Sequence, residues 1–565
     1  MVYKLKRSEL FKIIFFTFVF VFPKWFLSYF YFDESITTRI IYEIEGDGEF
    51  YLPFIKYLAE LNFTNSFNPE IQDVKFIPIP FGSLFLHSFF YLIIGEYSII
   101  LLELVYVFFF IYLFCLMQKI YFKNINVIPI SLLVIIFPTI LIVSGLNQFD
   151  YLSVLSKNFF NLRLHRPIAT TIFLLCFIFL TTKIFKSEFN KLSSFLLGLV
   201  LGLTLSSFYY FFIIQILTLI LLFGLKYKLE IFNFIIKNFS NIIFLLIGFL
   251  LFALPFAINL YFHEPEHTER IGVFLLNKEK KIILLKYYLE LIFSLKFLLF
   301  LFINFFILII NYYVDNKNKF FFVVPFVVFI SSILAPVIFF IISNKSGLIY
   351  HFNNNIIICS FIFVIIGTIN LYYKFIEHNK LVYFNSLIYL IFFICVFTQS
   401  YIHVNKNYKN INLKNERNEF SNLMSLVSKK NLSQSSILTL DNNVMIWSIM
   451  NDIKTLKITN GLIVPKKNKI IEKEIIDAFN FFNISKEKFL VFLKNERQTW
   501  RYFNRNVANL FYARYQANRL KTYKDSKNFK KAELKKIMKS SPALNQQIII
   551  PVNEMERLGK KFDQS

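Results

Sequence analysis

Asp47-Gly48-Glu49-Phe50-Tyr51, then Phe76-Ile77-Pro78-Ile79-Pro80-Phe81, then Ile93-Ile94-Gly95-Glu96: these three stretches punctuate one polar segment between the first and second long apolar runs of the chain. Spaced carboxylates, two prolines and a glycine corner stand at the start of a sequence that is otherwise strongly apolar. Of its 565 residues, 56% are hydrophobic and 20% aromatic, and the mean hydropathy is +0.55. Apolar runs recur up to residue 401, each close to the ~20 residues that cross a ~30 Å hydrocarbon core. The fold class that follows is a polytopic α-helical membrane protein.

About eleven transmembrane helices are predicted, at 10–32, 97–117, 126–145, 167–183, 193–208, 210–225, 240–262, 287–313, 319–342, 353–373 and 381–401. The run 193–225 would make a helix of roughly 50 Å, too long for one crossing, so it is read as a hairpin turning near Ser207. Lys4, Lys6 and Arg7 precede the first run, and no small-residue cleavage site follows it, which reads as a retained signal anchor. Short basic loops (Lys119/Lys123, Lys183/Lys186/Lys191, Lys226/Lys228/Lys237, Lys317/Lys319, Lys374/Lys380) alternate with longer ones that carry most acids and histidines. The positive-inside rule then places the N-terminus in the cytoplasm and the C-terminus outside. If 193–225 were one crossing, everything after it would flip.

Residues 402–565 read as a separate soluble domain of α/β or α+β type, with strands at Ser436–Leu440 and Gln547–Pro551 and helices over Lys469–Phe482 and Thr499–Tyr523. The domain carries 31 Lys and Arg against 14 Asp and Glu, a balance of +17. That charge reads as a solvated surface or, on the outer side, as a face resting on anionic headgroups; nucleic acid would require a cytoplasmic domain. The four cysteines (Cys115, Cys176, Cys359, Cys395) all fall in apolar runs without metal-ligand spacing, so no disulfide framework is implied.

The first outer loop, residues 33–96, resembles that of the GT-C superfamily of integral-membrane glycosyltransferases. The likeness is to the aminoarabinose-transferase and protein O-mannosyltransferase branches. Asp47 and Tyr51 have those branches' four-residue spacing, Pro78 and Pro80 follow about thirty residues later, and Ile94-Gly95 supplies the corner. The sequence departs in two places: Ile79 separates the prolines, and Gly48 stands where a Glu often follows the Asp. Asp33-Glu34 is the rival acidic pair, directly after the first span. The resemblance implies a membrane enzyme that moves a sugar from a polyprenyl-phosphate-type donor to an extracytoplasmic acceptor (lipid, glycan or protein) at the bacterial inner membrane. Asp47 would be the base that deprotonates the acceptor, and Asp150 would match a second acidic residue. Cationic side chains, or a divalent Mg or Mn ion, would take up charge on the leaving phosphate.

The other outer loops supply candidates. Arg163-Leu164-His165-Arg166-Pro167 lies at the N-terminal mouth of a span, where the arginines either snorkel to the interface or join backbone N–H groups in holding a phosphate. His263-Glu264-Pro265-Glu266-His267-Thr268-Glu269-Arg270 has the zincin spacing. Pro265 breaks the helix that such a site needs, which leaves either an ordinary solvated loop or a polar rim with Arg270 as a phosphate contact. Tyr350 and His351 could face a sugar. Glu103 and Lys296 lie at comparable depth and are expected to pair, and Gly198-x-x-x-Gly202 gives a close-packing helix face. Two other functions fit the same architecture: a flippase or exporter of lipid-linked glycans, for which intramembrane charges are sparse, and a non-catalytic assembly protein.

Overall fold

A computed structural model describes residues 5–32, 81–122, 125–158, 162–163, 166–186, 189–261, 278–315, 319–343, 349–375, 378–408 and 467–494, with isolated positions between 40 and 60, between 418 and 457, and at 560 and 563. In chain order the helices of the apolar part begin with α1 (Arg7–Phe32), α2 (Phe81–Ile94), α3 (Ser98–Lys119), α4 (Ile128–Val143) and α5 (Asp150–Asn158). A small hairpin follows, β1 (Leu162–Arg163) with β2 (Arg166–Pro167). Then come α6 (Ile168–Lys186), α7 (Lys191–Tyr227), α8 (Ile231–Lys237), α9 (Phe239–Tyr261), α10 (Lys278–Ile292), α11 (Leu295–Val314), α12 (Phe320–Ser343), α13 (Ile349–Phe375) and α14 (His378–Tyr408). Eight of the described helices are long and apolar enough to cross a membrane. The chain is a multi-pass helical membrane protein.

The 37-residue α7 is two helices in sequence. Phe208 has φ −154° and ψ 78°, outside the helical region. The amide of Gln215 donates to the hydroxyl of Thr204 at 3.2 Å. Along a straight helix those eleven residues would span roughly 16 Å, so the chain reverses at Phe208, one residue from the expected turn. The arm 191–207 then lies alongside α9. A Cβ on Gly198 would fall 1.9 Å from the Leu245 carbonyl oxygen, one on Gly202 2.4 Å from that of Phe249, and one on Gly248 2.3 Å from that of Phe195. The pairings advance together along both chains, so this arm and α9 run parallel, as a reversal between them requires. Three glycines make the contact because nothing larger lets the backbones meet.

Two apolar cores hold the bundle. One joins α3 to α13, with Phe110, Phe177, Phe211, Phe329 and Phe340 fully buried. The second joins α1, α3, α4 and α14, and it takes in Ile40, Ile55 and Leu58 from the first long loop together with Trp447 from beyond the last span. The run expected as one span at 287–313 is broken. Ser294 takes an extended conformation, and its hydroxyl accepts from the Phe297 N–H at 3.4 Å, so α10 ends and α11 starts there. The C-terminal region includes β3 (Ile437–Thr439), parallel to β4 (Thr455–Lys457), and helices α15 (Asn468–Phe481) and α16 (Lys486–Lys494), joined through Phe479 and Phe489. The strand expected at Ser436–Leu440 and the helix at Lys469–Phe482 are therefore present. The strand at Gln547–Pro551 and the helix at Thr499–Tyr523 lie outside the described residues.

Candidate functional site

The corner at Gly95 sets the geometry of this end of the bundle. Gly95 has φ +58°, a left-handed conformation open to glycine, and a single 3-10 turn leads from it into α3. The Tyr106 hydroxyl and the His87 Nε2 lie 3.2 Å apart. In a continuous helix the nineteen residues between them would span roughly 28 Å, so α2 folds back on α3. The sequence reading placed 81–94 within an outer loop. Instead Phe81, Gly82, Leu84 and His87 are buried, and Gly82 approaches α7 so closely that a Cβ there would meet the Ser206 and Ser207 hydroxyls. Glycine at position 82 and two small serines at the α7 turn permit the insertion.

Glu103 is buried in α3, and its partners come from α1. Oε2 accepts from the Trp25 indole N–H at 2.8 Å and lies 3.2 Å from the Lys24 ammonium, which also sits 4.9 Å from the Trp25 ring centroid. The partner found is thus Lys24, one helix away. The expected partner, Lys296, opens α11, which packs on α13, α12 and α10. An intramembrane carboxylate with a cation and an indole N–H is compensated in both charge and hydrogen bonding.

The second loop at this end starts at Gly145, also at positive φ (+72°). Because α3 leaves the corner and α4 returns, 144–167 lies at the same end as Gly95. Asp150 opens α5, and the register of the hairpin sets Arg163 opposite Arg166 directly before the first turn of α6. The α7 turn is recessed here, with Ser206, Ser207 and Phe208 buried. His351, in the first turn of α13 beside Tyr350, is 7% exposed and stacks edge-on to Phe208 at 5.1 Å, with Tyr210 also at 5.1 Å. His351 therefore packs into the turn as a wall.

Asp47, Asp33, Tyr51, His165 and Arg270 lie outside the described residues, as does the histidine pair at 263–267. What the structure brings to one end is the Gly95 corner, the α5–hairpin segment with Asp150, Arg163 and Arg166, and the α13 start with Tyr350 and His351. Among the described residues no three His, Cys, Asp or Glu side chains converge on a possible metal position. Three polar residues escaped the sequence reading. Lys24 sits in a run read as a simple anchor. His87 is a lone imidazole among the apolar residues of α2. Lys56 is 2% exposed, with its ammonium 5.6 Å from the Tyr91 ring centroid. A single charged or imidazole residue inside an apolar stretch was the available signal for the first two. No protein-family model, no curated protein and no solved structure matches the chain.

Proposed function

We propose that the chain is a membrane-embedded glycosyltransferase that takes a sugar from a polyprenyl-phosphate-type donor and passes it to an acceptor on the outer face of the bacterial inner membrane. The observation that carries this reading is the register that pairs Arg163 with Arg166 immediately ahead of α6, at the same end as the Gly95 corner. Two guanidinium-bearing residues beside free helix N–H groups suit the lipid phosphate that leaves in such a transfer. With α7 taken as two crossings, and α4 and α6 added to the long helices, the bundle has eleven spans. The N-terminus is then cytoplasmic, and the basic C-terminal domain lies outside beside the first loop. Asp47 is the base, with Asp33 its rival, and Asp150 is the second acid. Tyr51, His165, Arg270, Tyr350 and His351 line the substrate side, and a divalent metal is compatible with the carboxylates.

The test is transfer from a polyprenyl-phosphate sugar by purified protein in lipid. Asp47→Asn should abolish it with expression unchanged, and Asp33→Asn should be mild. Arg163 or Arg166 changed to Lys keeps charge but loses the planar fork, so partial activity is expected, and alanine should leave almost none. Full activity in both Asp variants would end the assignment. Normal transfer by both alanine variants with failure of Arg270→Ala would move the phosphate contact to the loop after residue 262.

A further inference from the structure

A cavity of about 620 Å³ is cut into the side of the bundle between α4, α5 and α13, closed at the back by Phe300 of α11. That volume lies within the ~300–1,000 Å³ of small-molecule sites, but the shape is a slot. Along α13 it runs from Ile357 to Tyr372, fifteen residues or roughly 22 Å of helix, most of the ~30 Å depth of a hydrocarbon core. Its mouth gives onto the bilayer, with Phe149 63% exposed and Thr368 exposed on the rim.

The lining is carbon, and two of its three side-chain hydroxyls are committed: that of Ser360 donates to Asn304 Oδ1 at 2.9 Å and that of Thr368 to the Val364 carbonyl at 2.7 Å. The third, on Tyr372, has no hydrogen-bond partner among the described residues and is itself buried at one end of the slot. A sugar or peptide would lose its water and find no replacement partner there, whereas a hydrocarbon chain loses nothing. The two ends differ in charge. At the Tyr372 end Lys374 is engaged by Asp315 at 3.6 Å. At the other end Leu152 and Leu155 of α5 line the slot, and the segment leading on to α6 carries Lys157, Arg163 and Arg166 against Asp150 alone.

We infer that this slot holds one long hydrocarbon chain of a phosphate-headed lipid, with the head at α5 and the Arg163/Arg166 hairpin. That this lipid is the polyprenyl sugar carrier rests on the function proposed above. The chain enters sideways from the bilayer and lies along α13, so the phosphate is positioned by burial of the chain as well as by charge.

The test uses the full-length protein in phosphatidylcholine nanodiscs with two photoactivatable probes. One is a polyprenyl phosphate with a diazirine midway along its chain, and the other is a phosphatidylglycerol with a diazirine in an acyl chain. Adducts are mapped by peptide mass spectrometry. The polyprenyl probe should label peptides covering 149–155 and 357–372, with competition by unlabelled polyprenyl phosphate and not by phosphatidylglycerol. Val364→Trp fills the slot and Thr368→Trp blocks its rim without touching the core. Each should lower slot labelling roughly tenfold, since shutting out about two methylenes weakens binding by that factor. Leu246→Trp, on the exposed face of α9, should change nothing. Labelling spread evenly over the lipid-facing helices, equal labelling by phosphatidylglycerol, or unaltered labelling in both slot variants would overturn the inference. Slot labelling without sugar transfer from any polyprenyl donor would defeat only the enzyme reading. Transfer that survives both slot variants would defeat only the chain site.

Discussion

Replacing Gly198 by alanine puts the parallel contact between α7 and α9 to a quantitative test. The new Cβ would stand 1.9 Å from the Leu245 carbonyl oxygen, where ordinary contact begins at 3.4 Å, so the helices must part by about 1.5 Å. The same difference for Gly202 is about 1.0 Å. The obstacle at both positions is backbone, which cannot swing aside as a side chain can. Overpacking of this kind costs about 1–3 kcal/mol, while alanine repays up to ~1 kcal/mol of helix propensity. The 1.9 Å approach to backbone puts Gly198→Ala at the upper end of that cost, so it should lose about 2 kcal/mol net. Gly224→Ala, in the same helix with nothing within 4 Å of its Cβ, isolates the propensity gain. The readout is the temperature at which half the purified protein still elutes as a monodisperse peak. The expected order is Gly198→Ala below wild type, with Gly224→Ala at or above it. The double variant Gly198→Ala/Gly202→Ala should cost little more than Gly198→Ala alone, because a separation sufficient for the first clash already relieves the second. Full additivity, or a Gly198→Ala protein as stable as Gly224→Ala, would refute the shared close contact.

Cysteines placed at Thr204 and Gln215 should form a disulfide readily, since a straight helix would hold those positions roughly 16 Å apart and beyond the ~7 Å reach of the bond; absence of the crosslink under oxidation would argue for one continuous span. Glu103→Ala strips the acceptor from Lys24 and Trp25 and should cost about 3–5 kcal/mol in thermal stability, with Glu103→Gln milder because it still accepts from the indole; a loss under about 1 kcal/mol would mean that water reaches the pair. In α16 the carboxyl of Glu487 is held below the usual range by its own backbone N–H and by the Ser485 hydroxyl. Its contribution is therefore present above the unfolded carboxylate pKa and fades as pH falls through the lower folded one. Ser485→Ala should flatten that acid dependence of helical circular dichroism, and an unchanged profile would dissociate the two residues.

The membrane class, most span positions and the α7 turn were legible in the sequence because length and hydropathy are local quantities. The turn is instructive: no Gly or Pro marks Phe208, and only the impossibility of a 50 Å crossing exposed it. The Gly198/Gly202 face was readable from spacing, but its partner Gly248 was not, because one glycine in an apolar run carries no sign of its neighbour. The break at Ser294 was hidden because a capping serine inside an apolar run looks the same as a solvated one. Depth alone pointed Glu103 toward Lys296. The choice of Lys24 depends on which helices pack side by side, and hydropathy says nothing about that. The inward fold of α2 was missed for a related reason: Gly82 opposite Ser206 and Ser207 is a long-range match of small residues. At the candidate site Arg163 and Arg166 were identified from charge, and their register in a hairpin came only with the structure.

The tie between Lys24, Trp25 and Glu103 has a consequence for how this family of shapes could diversify. Lys24 precedes the first long loop and Glu103 follows it, so the ion pair cinches the base through which the whole segment 33–96 must leave and return. Once that neck is closed, added length between α1 and α2 costs little in closure entropy, about 0.6 kcal/mol for each doubling. Its anchors are not free to change: Ile40, Ile55 and Leu58 sit in the second core, and α2 packs on α3 and α7. Residues between those anchors can then change while the register of α1 against α3 stays under its own, separate selection for packing.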